Sequence, residues 1–142
     1  MNKDLKVQKS VSIPADPSKV WKALTDPEQI KQYLFGTQTV SDWKKGSPIL
    51  FRGVWKDKTY EDKGQILGIE TGQFLQYSYW SSLSGLADSP ENYSIVSFDL
   101  KPENGGTWLT LTQTNHADEK AMDHAGKNWE MVLQKIREML EK

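Results

Sequence analysis

Between Ile13 and Glu28 the chain reads IPADPSKVWKALTDPE, the end of one extended segment followed at once by two helix starts. In Asp16-Pro17 and again in Asp26-Pro27, a carboxylate stands where it accepts the first free N–H groups of a helix. The proline after it stands where a missing N–H costs nothing. The pattern predicts two short helices, about 17–25 and 27–34. Val20, Ala23 and Leu24 form the inward stripe of the first, Ile30 and Leu34 that of the second, and Gly36 supplies the stop.

On either side of this insert the period is two. Leu5, Val7, Val11 and Ile13 share one parity and Lys6, Gln8, Ser10 and Ser12 the other, the alternation of a half-buried strand. Lys9 interrupts its apolar face and predicts a place near a sheet edge. Six further strands are expected at about 37–42, 48–55, 60–69, 74–81, 93–101 and 106–115, joined in sequence as an antiparallel meander. Asn104-Gly105 is the pair favoured in tight hairpins, where positive φ is required. The connection 82–92, with Gly85, Asp88 and Pro90, is longer than the rest and reads as a loop at one mouth of the sheet.

After Asn115 the period changes to 3.6. Met122, Ala125, Trp129, Val132 or Leu133, Ile136, and Met139 or Leu140 make one stripe on a helix expected from Asp118 to Lys142, with Asn115 a candidate cap. Such a stripe is stable only against a sheet. Gly126 in its middle costs about 1 kcal/mol relative to alanine, which predicts a close approach to another element.

A chain of 142 residues has the size of one domain, 1–142. Its 18 basic and 19 acidic residues nearly cancel and form no like-charged block, which argues against a nucleic-acid partner. The absence of cysteine removes disulfides, thiolate metal sites and cysteine nucleophiles together, and suits a reducing cytoplasm. The first residues lack the apolar run of a signal peptide, and no segment approaches the roughly eighteen apolar residues of a membrane span. Six Trp, five Tyr and four Phe are many for a chain this size and point to a wide interior.

The order strand, helix, helix, six strands, long helix, carried by IPADPSKVWKALTDPEQIKQYL, resembles the START-like or SRPBCC superfamily. More narrowly it resembles the branch named for the C-terminal domain of the activator of heat-shock protein 90 ATPase. SDWKKGSPILFRGVW (41–55), KGQILGIE (63–70), LQYSYW (75–80) and GGTWLTLTQ (105–113) extend that resemblance over nearly the whole chain. Tyr33 stands where a tryptophan is common in relatives. The glycine-rich loop of the birch-pollen-allergen branch is missing, so phosphate cradling is not implied.

The resemblance implies an α+β helix-grip fold, a curved antiparallel sheet of six or seven strands wrapped around the C-terminal helix. With the surplus of rings, it implies a small hydrophobic or aromatic ligand held between sheet and helix. The expected lining is Trp43, Phe51, Trp55, Tyr77, Tyr79, Met122, Trp129 and Leu133. The branch name implies instead a contact with a chaperone or another protein, and some superfamily relatives are cyclases or hydrolases.

The residues themselves assign no catalytic group, metal or cofactor. His116 and His124 lack the HEXXH spacing of a zinc site and are expected at a solvated helix end. Ser81, Ser82 and Ser84 form no nucleophile elbow. Arg52 and Asp99 have the parity opposite to Phe51 and Phe98 and are expected to face water. Glu61, Asp62 and Glu70 are expected at the surface, the lesser alternative being that Glu61 reaches the mouth of the cavity.

Overall fold

The computed structural model describes residues 1–141, apart from the side chain of Trp55. Strand β1 (Asn2–Ile13) leads into α1 (Pro17–Thr25) and α2 (Pro27–Tyr33). Both predicted caps form: Asp16 accepts from the Lys19 amide at 3.1 Å and Asp26 from the Glu28 amide at 3.0 Å. Tyr33 is buried and its hydroxyl donates to the Ala23 carbonyl at 2.9 Å, which clamps the two helices together.

The chain then runs through β2 (Gln38–Ser41), β3 (Pro48–Trp55), β4 (Lys58–Glu70), β5 (Phe74–Tyr79), β6 (Ser94–Glu103) and β7 (Gly106–His116), and ends in α3 (Glu119–Leu140). The seven strands form one antiparallel sheet in the order β1-β7-β6-β5-β4-β3-β2. The predicted meander is therefore present, and β1 closes it beside β7. Asn104 and Gly105 take φ of 39° and 82°, the turn their sequence predicts. A single turn of 3-10 helix, Pro90–Asn92, lies within the long connection after β5.

Alternation decides which side chains enter the core. Ser94, Val96, Phe98 and Leu100 of β6, with Thr107, Leu109 and Leu111 of β7, are buried on the concave face. Val132, Leu133 and Ile136 of α3 are buried against them. The helix packs most closely on β1. A Cβ built on Gly126 would stand 3.5 Å from Lys9 Cε and 3.9 Å from Val7 Cγ1, ordinary van der Waals separations, so α3 meets β1 here without the close approach that would require glycine. Lys9 lies on an edge strand, as expected, and its ammonium meets Glu130 of α3 at 2.7 Å.

Three further expectations are corrected. The α3 cap is Asp118, whose carboxylate accepts from the Ala121 amide at 2.8 Å. Asn115 instead lies within β7, one residue before its end, at φ 71°, donating to the carbonyls of Glu91 and Tyr93. His116 is not on a solvated helix end: it is 5% exposed, because β7 continues through it and pairs it with Asn2. Asp62 is not at the surface either, being 7% exposed on the concave face opposite Phe51. Glu61 is exposed, as expected, and bound to Arg52 at 2.6 Å.

Candidate functional site

Sheet, α3 and the α1–α2 pair converge on one ring-lined region. Phe51 (β3), Tyr77 (β5), Phe98 (β6), Trp129 (α3) and Trp43, from the loop between β2 and β3, surround a gap of about 20 Å³ together with residues of α1 and α2. That volume is room for about one water, far below the roughly 300–1,000 Å³ of small-molecule sites. The rings interlock instead of leaving a chamber. Phe51 sits 5.7 Å from Tyr77 and, edge-on, 5.6 Å from Tyr79, while Phe98 meets Trp129 in a T-shaped contact at 5.9 Å.

Of the eight residues expected to line a cavity, four meet around the gap: Trp43, Phe51, Tyr77 and Trp129. Tyr79 is next to it through Phe51. Leu133 is fully engaged in the core. Met122 is elsewhere, beside Val7, Lys9 and Gly126 in a separate cleft between β1 and α3. A stripe of six helical turns is longer than the ring cluster it covers. The side chain of Trp55 lies outside the described residues.

Polar groups of the same concave face form two networks that alternation alone does not reveal. The Trp129 indole N–H donates to Gln113 Oε1 at 2.8 Å, and the Gln113 amide donates to Ser94 Oγ at 2.9 Å. Tyr79 donates to Asp62 Oδ2 at 2.6 Å, and the Ser82 amide and hydroxyl donate to Oδ1 at 2.9 and 3.2 Å. Asp62 thus joins the interior to the start of the 81–93 loop. Its inward parity with Phe51's cross-strand position is the signal by which the sequence could have exposed it.

Two hydroxyls near the gap stand apart from these networks. Tyr77 is 6% exposed, and its hydroxyl enters no hydrogen bond among the described residues, though it is not sealed from solvent as Thr39 Oγ1 is. Burial pushes its phenol pKa well up, so the group stays protonated at neutral pH. Thr39 Oγ1, on the strand partner of Phe51, is buried and likewise without a partner. Burial also raises the phenols of Tyr33 and of Tyr79, the latter helped by the Asp62 carboxylate.

Trp43 closes the gap at a conformational cost. Its φ is 55°, a left-handed backbone that bulky side chains rarely adopt, and its amide donates to Ser41 Oγ at 3.1 Å. The rest of its loop is pinned to β4, with Gly46 N to Ile66 O and Ile66 N to Ser47 O both at 2.8 Å. Strain of this kind persists only where packing holds it, here the burial of an indole on the core.

Among the described residues no three or more His, Cys, Asp or Glu come together to hold a metal ion. No helix among them is long and apolar enough to cross a membrane.

No curated protein matches the sequence. Among solved structures, ChR145 from Cytophaga hutchinsonii is 45% identical, with TM-score 0.86 over 99% of this chain and 97% of that one. CalU16 from Micromonospora echinospora is 25% identical, with TM-score 0.72 over 92% and 73%. The Aha1 dimer from Colwellia psychrerythraea, at 17% identity and TM-score 0.75 over 96% of each chain, shares the fold. The family model described as activator of Hsp90 ATPase homolog 1-like protein matches residues 14–141. With the helix-grip sheet, the two capped helices and α3 in place over that span, the chain belongs to the activator of Hsp90 ATPase homolog 1-like family.

Proposed function

We propose that the chain binds a small, flat, mostly apolar molecule carrying one neutral polar group, in the ring-lined gap between sheet and α3. The observation that carries this reading is Tyr77, a residue of that gap whose hydroxyl enters no hydrogen bond among the described residues. A guest that bonds to this hydroxyl gains about 0.5–1.5 kcal/mol. Thr39 Oγ1 offers a second such group.

At about 20 Å³ the resting gap admits no guest of this kind, so binding requires the rings to part. Trp43 is the ring best suited to move. It is half-buried, sits on a loop rather than on the sheet, and gives up its left-handed strain on leaving. The tilted pair of Phe51 and Tyr77 and the T-shaped pair of Phe98 and Trp129 then face a planar guest from the sheet and helix sides.

Titration with 2-naphthol, followed by tryptophan fluorescence and amide chemical shifts, tests the proposal. Saturable shifts at Phe51, Tyr77 and Trp129 support it, together with an affinity about two- to tenfold weaker in Tyr77→Phe. Shifts confined to the surface, or a Tyr77→Phe variant that binds equally well, overturn it.

The family name supports a second reading, contact with a chaperone. The observation favouring it is Phe35, a bulky side chain 56% exposed at φ 54° with the Lys135 ammonium 4.6 Å from its ring centroid. Loss of chaperone capture or ATPase stimulation in Phe35→Ala would select this reading.

A further inference from the structure

A wide concavity lies on the other side of the sheet. The outward residues Ser78, Ile95 and Thr114 follow one another across β5, β6 and β7 in register, with Leu67 of β4 beside them. The Asp88–Pro90 stretch of the long connection stands as a wall over this row, and Lys3 of β1 closes the opposite end. The groove holds about 720 Å³, within the roughly 300–1,000 Å³ of small-molecule sites and far above the interior gap.

The wall is held in place before any ligand arrives. Asp88 meets Lys63 Nζ at 2.5 Å and accepts from the Tyr93 hydroxyl at 2.5 Å, Tyr93 stacks on Trp80 at 6.5 Å, and the Trp80 indole donates to Leu86 O at 3.2 Å. Lys63 and Asp88 therefore neutralise each other. Lys3 has no ion-pair partner among the described residues, which leaves one uncompensated positive charge at the end of an apolar floor. Asn115, 5% exposed at the same end, spends its amide on the Glu91 and Tyr93 carbonyls, and its buried Oδ1, an acceptor, takes no part in holding an anion.

We infer that this outer groove is a second, preformed binding site for a small amphiphilic carboxylate, its apolar body over Leu67 and Ile95 and its head at Lys3. The charge complement selects the anion: the carboxylate of the groove, Asp88, is already paired with Lys63, which leaves the Lys3 ammonium as the unpaired charge of the lining among the described residues. The site is independent of the interior gap, since the two lie on opposite faces of the sheet.

The test is an amide chemical-shift titration of the intact chain at low ionic strength with decanoate below its micelle concentration. Parallel titrations use 1-decanol and decyltrimethylammonium. Saturable shifts at Leu67, Ser78, Ile95 and Thr114 are expected with decanoate. Affinity should fall about two- to fivefold in Lys3→Gln and with 1-decanol, and Tyr77→Phe should leave it unchanged. Equal binding of decyltrimethylammonium, an unaffected Lys3→Gln variant, or decanoate shifts located at Phe51 and Trp129 would each overturn the inference. Only the last of these would favour the interior site, so the two proposals fail separately.

Discussion

The Tyr79 hydroxyl donates to the Asp62 carboxylate at 2.6 Å, and the other oxygen of that carboxylate takes the Ser82 amide and hydroxyl. One buried acid thereby ties the ring cluster inside the sheet to the first residues of the loop that walls the outer groove. Asp62→Ala leaves a buried phenol and a backbone N–H without their acceptor. It should cost about 1–3 kcal/mol in urea unfolding and speed proteolytic nicking between Ser82 and Ala87. A variant as stable and as resistant as the parent chain would mean that the carboxylate anchors nothing.

Trp129 is held by packing and by a bond to Gln113. Trp129→Ala should lose about 3–5 kcal/mol, the range for deleting a large ring from a core. Trp129→Phe keeps most of the packing and should lose about 1–2 kcal/mol. Equal losses in the two variants would place the whole contribution in the indole N–H.

The left-handed backbone at Trp43 separates ring from strain. Both Trp43→Ala and Trp43→Gly remove the indole, but only glycine relaxes at φ 55°. The glycine variant should therefore be more stable than the alanine variant by about 1 kcal/mol in equilibrium denaturation. The reverse order would show that this loop is not strained.

Alkaline pH should destabilise the fold through Tyr33, Tyr77 and Tyr79, whose phenols are all raised by burial. Above a pH of about 10 the unfolded chain has released these protons and the folded chain has not. The folded state then holds more protons, and stability falls as pH rises. Below that pH the contribution is fully present. Unfolding midpoints between pH 8 and 11 should fall less steeply in Tyr77→Phe than in the parent, while neutral-pH stability, with no hydrogen bond lost among the described residues, should stay within about 0.5 kcal/mol.

Gly64 lies in β4 so close to β5 that a Cβ there would collide with the Ser78 carbonyl. Because the obstacle is backbone, neither side chain nor rotamer can give way. Gly64→Ala should cost about 3 kcal/mol or more, or prevent folding, as read by circular dichroism and expression of soluble protein.

The reach of sequence patterns varied with the range of the interaction. Asp16, Asp26, Asn104 and Gly105 did what their positions predict because caps and tight turns involve neighbours within a few residues. Parity placed Phe51, Tyr77 and Trp129 inward correctly, since the strand and helix periods are local as well. Asn115 failed as a cap because β7 runs one residue past it. Asp62 and His116 were misplaced because a buried polar group is tolerable only with partners, and Ser82, Tyr79 and the strand carrying Asn2 come from elsewhere in the chain. Met122 shared a helical stripe with Trp129, yet α3 lies mainly along β1 and carries that end of the stripe into another cleft.

Hydrophobic period, proline and carboxylate pairs, and turn residues were enough by themselves to determine the order of elements, the antiparallel sheet and the helix laid across it. Whether an aromatic interior is hollow or packed depends on how rings from five separate segments mesh, to within the size of one water molecule, and that is a matter of three-dimensional fit. Only the tertiary structure decided that the interior closes to about 20 Å³ around an unpartnered Tyr77 hydroxyl, and that the broad concavity opens on the opposite face of the sheet.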